Sequence, residues 1–178
     1  MKKSILLPII TIALAALILL GLSAGLNGIA AANAQAEHLQ MMQTLLPGSS
    51  EFVVEPYSGE DANIRSVHKG ETGFVVETVT AGYAGDITML IGISKEGTVT
   101  GLVVRELSET QGLGANALTD YEFLAQFLNT QGDAEIGTNV DALTGATVTS
   151  KAITRSVNSA VAYVTGADTS SGATSWGG

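Results

Sequence analysis

Hydrophobic positions along the chain keep one rhythm for a stretch and then change to another. From Ile5 to Leu26 they run without a charge, and about 20 such residues rising 1.5 Å each span a bilayer core of roughly 30 Å. In "AEHLQMMQTLLPG" they fall at Leu39, Met42 and Leu46, a helical stripe that Pro47 and Gly48 terminate. The rhythm then shortens. "EFVVEP", "GFVVETV", "DITMLIGIS" and "TVTGLVVREL" are brief, rich in Val, Ile and Thr, and separated by glycine-containing turns, which predicts antiparallel strands. "SKEG" joins two of them, with Gly97 suited to a left-handed turn position. Helical spacing returns in "LTDYEFLAQFLN", with Thr119 as its N-cap and Leu118, Phe123, Leu124 and Phe127 inward. It returns again in "TSKAITRSVNSAVAYVTG", with Ile153, Val157 and Val161 on one face and Gly166 at the end. The remainder, "ADTSSGATSWGG", is small and polar and predicts a flexible tail.

These elements give an α+β fold class: a single N-terminal transmembrane helix followed by a twisted antiparallel sheet with packed helices. At 178 residues there is room for one modest domain plus appendages. The expected division is residues 1–30 as cytoplasmic start and anchor, 31–50 as stem helix, 51–166 as the domain and 167–178 as tail. "ANAQA" at Ala32 to Ala36 also offers the small residues of a signal-peptide cleavage site. The length of the apolar run favours a retained anchor. Lys2 and Lys3 before it place the N-terminus in the cytoplasm and the domain on the outer side of the cell membrane.

Charge narrows the function. All 17 acidic residues lie at or after Glu37, against 8 Lys and Arg in the whole chain, so clustered cations for nucleic-acid phosphates are lacking. The absence of cysteine excludes disulfides, thiolate-bound iron–sulfur clusters and covalent c-type haem. No metal site is expected. His38 and His68 read as isolated imidazoles, and Met41 and Met42 as packing residues.

Two stretches carry candidate chemistry. "GLGANA", Gly112 to Ala117, fits the outline of a dinucleotide fingerprint, but the strands before it read as hairpins where a parallel βαβ unit is required. "DALTGATVTS", Asp141 to Ser150, is echoed in the tail by "DTSSGATS", Asp168 to Ser175. In the first copy Gly145 permits a sharp turn and Ala146 an uncrowded approach, while Thr147 to Ser150 open a predicted helix whose N–H groups and dipole favour an anion. Lys151 adds a positive charge, and the Thr147 hydroxyl is open to esterification. A plain turn with a threonine N-cap is the alternative reading.

"DALTGATVTS" resembles the flavinylation motif of the FMN-binding domain shared by the G subunit of Rnf-type electron transport complexes and the C subunit of sodium-translocating NADH:quinone reductases. The resemblance runs through nearly the whole chain in order: an N-terminal anchor, a stem, "AGYAGDITMLIGISKEGTVTGLVV", "ETQGLGANA", then the motif and its helix. In that family the last threonine of Ser/Thr-Gly-Ala-Thr carries FMN through a phosphodiester bond, which here is Thr147. Asp141, Thr144, Gly145, Ala146, Thr149, Ser150 and Lys151 would surround it. "ETQGLG" corresponds to a Glu-Thr-Pro-Gly-Leu-Gly loop beside the flavin, which implies contacts from Glu109, Thr110, Leu113 and Gly114. Gln111 replaces the proline and so frees that loop's backbone. Tyr83 in "AGYAG" either approaches the flavin or packs at a strand end.

The resemblance therefore implies an FMN-carrying electron-relay subunit of a membrane complex that couples ferredoxin:NAD electron transfer to ion translocation. Its partners would be the other membrane subunits, with a flavin transferase for maturation. It implies no independent catalytic site. The C subunit of the quinone reductase and a membrane-anchored non-redox binding domain remain alternatives. In the tail copy Thr174 lacks a following helix, so that copy reads as a compositional echo.

Overall fold

The computed structural model describes residues 32–107, Gly114 and 120–167. No helix among these is long and apolar enough to cross a membrane; the Ile5–Leu26 stretch and the tail lie outside them. The chain forms two units, Met1–Gln40 and Met41–Gly178. In the first, residues 32–40 are helical; in the second, residues 41–45 are helical and are labelled α1.

The second unit is built on a five-stranded antiparallel meander. Strands β1 (Val53–Glu55), β2 (Ile64–Lys69), β3 (Gly73–Ala81), β4 (Asp86–Ser94) and β5 (Val99–Leu107) lie side by side in chain order. Short turns join β2 to β3, β3 to β4 and β4 to β5. Gly97, at φ +82°, supplies the left-handed residue that closes β4 onto β5. Helix α2 (Tyr121–Ala125) and the longer α3 (Thr147–Thr165) follow.

Strand alternation feeds two apolar layers. Ile87, Met89, Ile91 and Ile93 of β4 join Val76 of β3 on the face covered by Phe123, Phe127, Ile153, Val157 and Val161. Leu90 and Val75 point the other way, where Met42, Leu45 and Leu46 cover them. Because both faces of β4 are covered, its sequence is a continuous apolar run. The end of the expected stem thus belongs to the domain's second layer, whereas Leu39 is 38% exposed.

Strand β2 was not expected, and its geometry explains why. A bulge between Ile64 and Ser66 interrupts its register with β3, so Ile64 and Val67, three residues apart, both enter the same core. Without the bulge they would face opposite sides. The helix around Phe123 is also shorter than expected. Its cap is Asp120, whose carboxylate accepts the Phe123 N–H at 2.9 Å; Thr119 and Leu118 lie outside the described residues. Phe123, Leu124 and Phe127 are buried as expected, with the two Phe rings edge to face at 5.3 Å.

Helix α3 is rich in Ser, Thr and Val, residues of modest helix propensity. Its polar residues are absorbed locally. The hydroxyls of Ser150, Thr154 and Thr165 each donate to the carbonyl four residues back, and Ser156 pairs with Thr80 of β3 at 2.6 Å in the buried layer. Gly166 ends the helix in the left-handed conformation.

Candidate functional site

The turn that precedes α3 carries a glycine in a conformation other residues resist. Gly145 has φ +73°, where an L side chain is strained, and the Ala146 N–H returns to the Leu143 carbonyl at 3.0 Å. Ala146 is the N-cap residue and provides no side-chain cap; Thr147 is the first helical residue. Thr147 is therefore not the threonine N-cap of the plain-turn reading. Its exposed side chain does not cap the helix.

Ser150 holds this turn from inside. Its hydroxyl accepts the Leu143 N–H and donates to the Ala146 carbonyl, each at 2.9 Å, in a position with no solvent exposure. Gln126, just after α2, holds the other end of the loop. Its Oε1 accepts the Asp141 N–H at 2.7 Å, and its Nε2 donates to the Asp141 carbonyl at 3.4 Å. Ahead of that loop Asn158 of α3 pairs in the same two-way manner with the backbone of Ala134, and Asn139 bridges Asp133 and Glu135. Side-chain amides thus order the long connection from α2 to α3.

The electrostatics suit an anion. The first turn of α3 has no side-chain cap bond among the described residues and no acidic residue, and the positive end of a helix dipole favours an anion there. Thr147, Lys151 and Arg155 are all exposed and, spaced four apart, share one side of the helix. From Glu106 to the end of the chain Lys151 and Arg155 are the sole basic side chains. Local positive charge in this acidic half therefore collects beside Thr147. Val148, 49% exposed, places an apolar surface next to it. Exposed hydroxyl, basic and apolar groups thus stand together at the start of α3.

Among the remaining expected contacts, Asp141, Thr144 and Gly145 are exposed with Thr147 and Lys151. Ala146, Thr149 and Ser150 are buried; Ser150 serves the turn with its hydroxyl, a role that periodicity alone did not reveal. Tyr83 is 73% exposed in the β3–β4 turn, so the packed strand-end reading does not hold. Glu109, Thr110 and Leu113 lie outside the described residues, while Gly114 is buried. The dinucleotide reading of "GLGANA" fails on topology, since β5 before it pairs antiparallel with β4. Gln126 was missed, because nothing in its local sequence signals a bond to a backbone 15 residues away.

Among the described residues no group of acidic, histidine or cysteine side chains is placed to hold a metal. Residues 82–162 match the FMN-binding domain family. Over 141 residues the chain is 38% identical to the G subunit of an ion-translocating oxidoreductase complex of Methanosarcina acetivorans, covering 70% of this chain and 73% of that relative. It is 38% identical over 98 residues to the G subunit of the Na(+)-translocating ferredoxin:NAD(+) oxidoreductase complex of Acetobacterium woodii, covering 50% of this chain and 47% of the relative. It is 39% identical over 99 residues to the proton-translocating counterpart of Clostridium ljungdahlii, covering 52% and 53%. The chain thus spans about half the length of these last two relatives. With the FMN-binding match laid over the β4–α3 frame and most of the Methanosarcina acetivorans relative aligned, this chain belongs to the family of G subunits of ion-translocating oxidoreductase complexes.

Proposed function

We propose that this protein is an electron-relay subunit of a membrane complex that couples ferredoxin:NAD electron transfer to ion translocation, and that it carries FMN by a phosphodiester bond to Thr147. The observation that carries the attachment reading is the exposed Thr147 hydroxyl at the first position of an uncapped 19-residue helix, directly after the Gly145 turn. When bound, FMN supplies one- and two-electron redox chemistry that no side chain here provides.

The chain's own residues attach, orient and neutralise. A separate flavin transferase would supply FMN as a phosphoric anhydride: the Thr147 oxygen forms the new bond to the FMN phosphorus as the anhydride P–O bond breaks, and the second phosphate of the anhydride leaves with the electron pair while the hydroxyl proton passes to solvent or to a base of that enzyme. Lys151 and the first N–H groups of α3 offset the negative charge of the resulting diester. The ring itself stays chemically unmodified by such a link, so its potential is set by hydrogen bonds, charge and burial around it. Asp141, Thr144, Gly145 and Tyr83, with the 109–114 loop, are the residues proposed to line it. Tethering prevents loss of the cofactor to the outer space.

The uncharged Ile5–Leu26 stretch, preceded by Lys2 and Lys3, is proposed to anchor the protein with its flavin domain on the outer side and the other subunits beside it in the membrane. The test of attachment is the intact mass of the protein produced with and without a flavin transferase, followed by peptide mapping. A mass gain of one FMN ester on the Asp141–Lys151 peptide is expected. No gain, or a gain mapped elsewhere, overturns the assignment.

A further inference from the structure

We propose that Gln126 and Ser150 are positioning residues that fix the Asp141–Thr147 loop from its two ends and thereby set the direction in which the Thr147 oxygen leaves the surface. This rests on the reading of Thr147 as the attachment point. The loop contains the exposed residues Asp141, Ala142, Thr144 and Gly145, and a segment of that composition would wander if held by its backbone alone. Two side chains prevent this. Ser150 uses the donor and acceptor capacity of one hydroxyl to join the Leu143 N–H to the Ala146 carbonyl across the turn. Gln126 uses both ends of its amide on the backbone of one residue, Asp141, a match that needs an adjacent donor and acceptor and that a carboxylate cannot supply.

The consequence concerns orientation. A phosphodiester link has several rotatable bonds, so a tethered ring is held only as firmly as the backbone to which it is tied. With both ends of the loop fixed, the ester oxygen at Thr147 has one direction relative to α3; with either end released, the Gly145 turn is free to sample others.

The test uses the full chain in detergent, with Gln126→Ala, Ser150→Ala and Thr147→Ala. Amide exchange on the flavin-free protein reads the clamps directly: Gln126→Ala should speed exchange at Asp141, and Ser150→Ala at Leu143, by at least tenfold, with β4 unchanged. Fluorescence anisotropy, measured on flavin-loaded molecules, should fall towards that of the denatured flavinylated chain in both. This pairing supports the proposal. Unchanged exchange overturns it, and so does faster exchange with unchanged anisotropy, because the loop would then be held without orienting its cargo. If Ser150→Ala fails to fold, the half-buried Gln126 position decides alone by the same criteria. Flavin retained in Thr147→Ala would overturn the attachment reading instead, a result separable from the exchange data on the flavin-free chain.

Discussion

The backbone carbonyl of Leu45 occupies the space where a side chain on Gly92 would stand. Gly92 pairs across β4 and β5 with Gly101, whose own Cβ would come within 3.0 Å of the Leu45 Cα. The Thr100 hydroxyl donates to the same carbonyl at 2.6 Å. The bare pair lets the end of α1 lie close to the sheet and bury Met42, Leu45 and Leu46. Gly92→Ala should therefore push that helix end off the strand and cost about 1–3 kcal/mol by overpacking. Urea denaturation measures it, and a variant as stable as the parent would show that the contact yields freely.

Thr147→Ala should abolish covalent flavin while leaving the fold intact. Because Ala146 is the cap residue and Thr147 is exposed without a capping bond, its truncation should change stability by no more than about 0.5 kcal/mol. Thr147→Ser, which keeps a hydroxyl, should retain flavin. Peptide mapping and thermal unfolding check both halves, and full flavin content in the alanine variant would refute the site.

Much of the frame was legible because its residues act locally. The β4 run from Asp86 to Ser94 coincides with its strand, and Ile153, Val157 and Val161 mark the buried face of α3 because a continuous helix preserves its period. β2 was hidden because its bulge breaks the period of two on which strand reading depends. The site divided in the same way. Gly145 and the start of α3 followed from local turn chemistry, while the inward role of Ser150 and the Gln126 clamp depend on a folded backbone returning to meet them.

Glu71 gives a pH test of how the α1–β1 connection is held. Its carboxylate accepts the Ser50 N–H at 3.0 Å and the Ser50 hydroxyl at 2.9 Å. Its own backbone N–H first, then the Ser50 hydroxyl, hold its pKa below the ordinary 4.5. A depressed folded-state value means that its contribution is present above the unfolded value and is lost as pH falls through the folded one. Glu71→Gln should thus lower the urea midpoint slightly at pH 7, and the difference should close as pH drops below 4.5. A gap that stayed constant into strong acid would mean that the carboxylate charge contributes nothing.

Removing residues 168–178 should leave flavin content unchanged, whereas Gly114→Val should alter the flavin's potential without preventing attachment. The helix that follows Thr147 is already closed by the left-handed Gly166, so every described contact shaping the turn is complete before Asp168. Gly114 differs because it is buried, in the loop proposed to lie beside the ring, where a branched side chain must displace its neighbours. Intact mass and redox titration of the two variants decide the matter. A tail deletion that halved bound flavin would make Thr174 a second attachment site, and an unshifted potential in Gly114→Val would remove that loop from the flavin's surroundings.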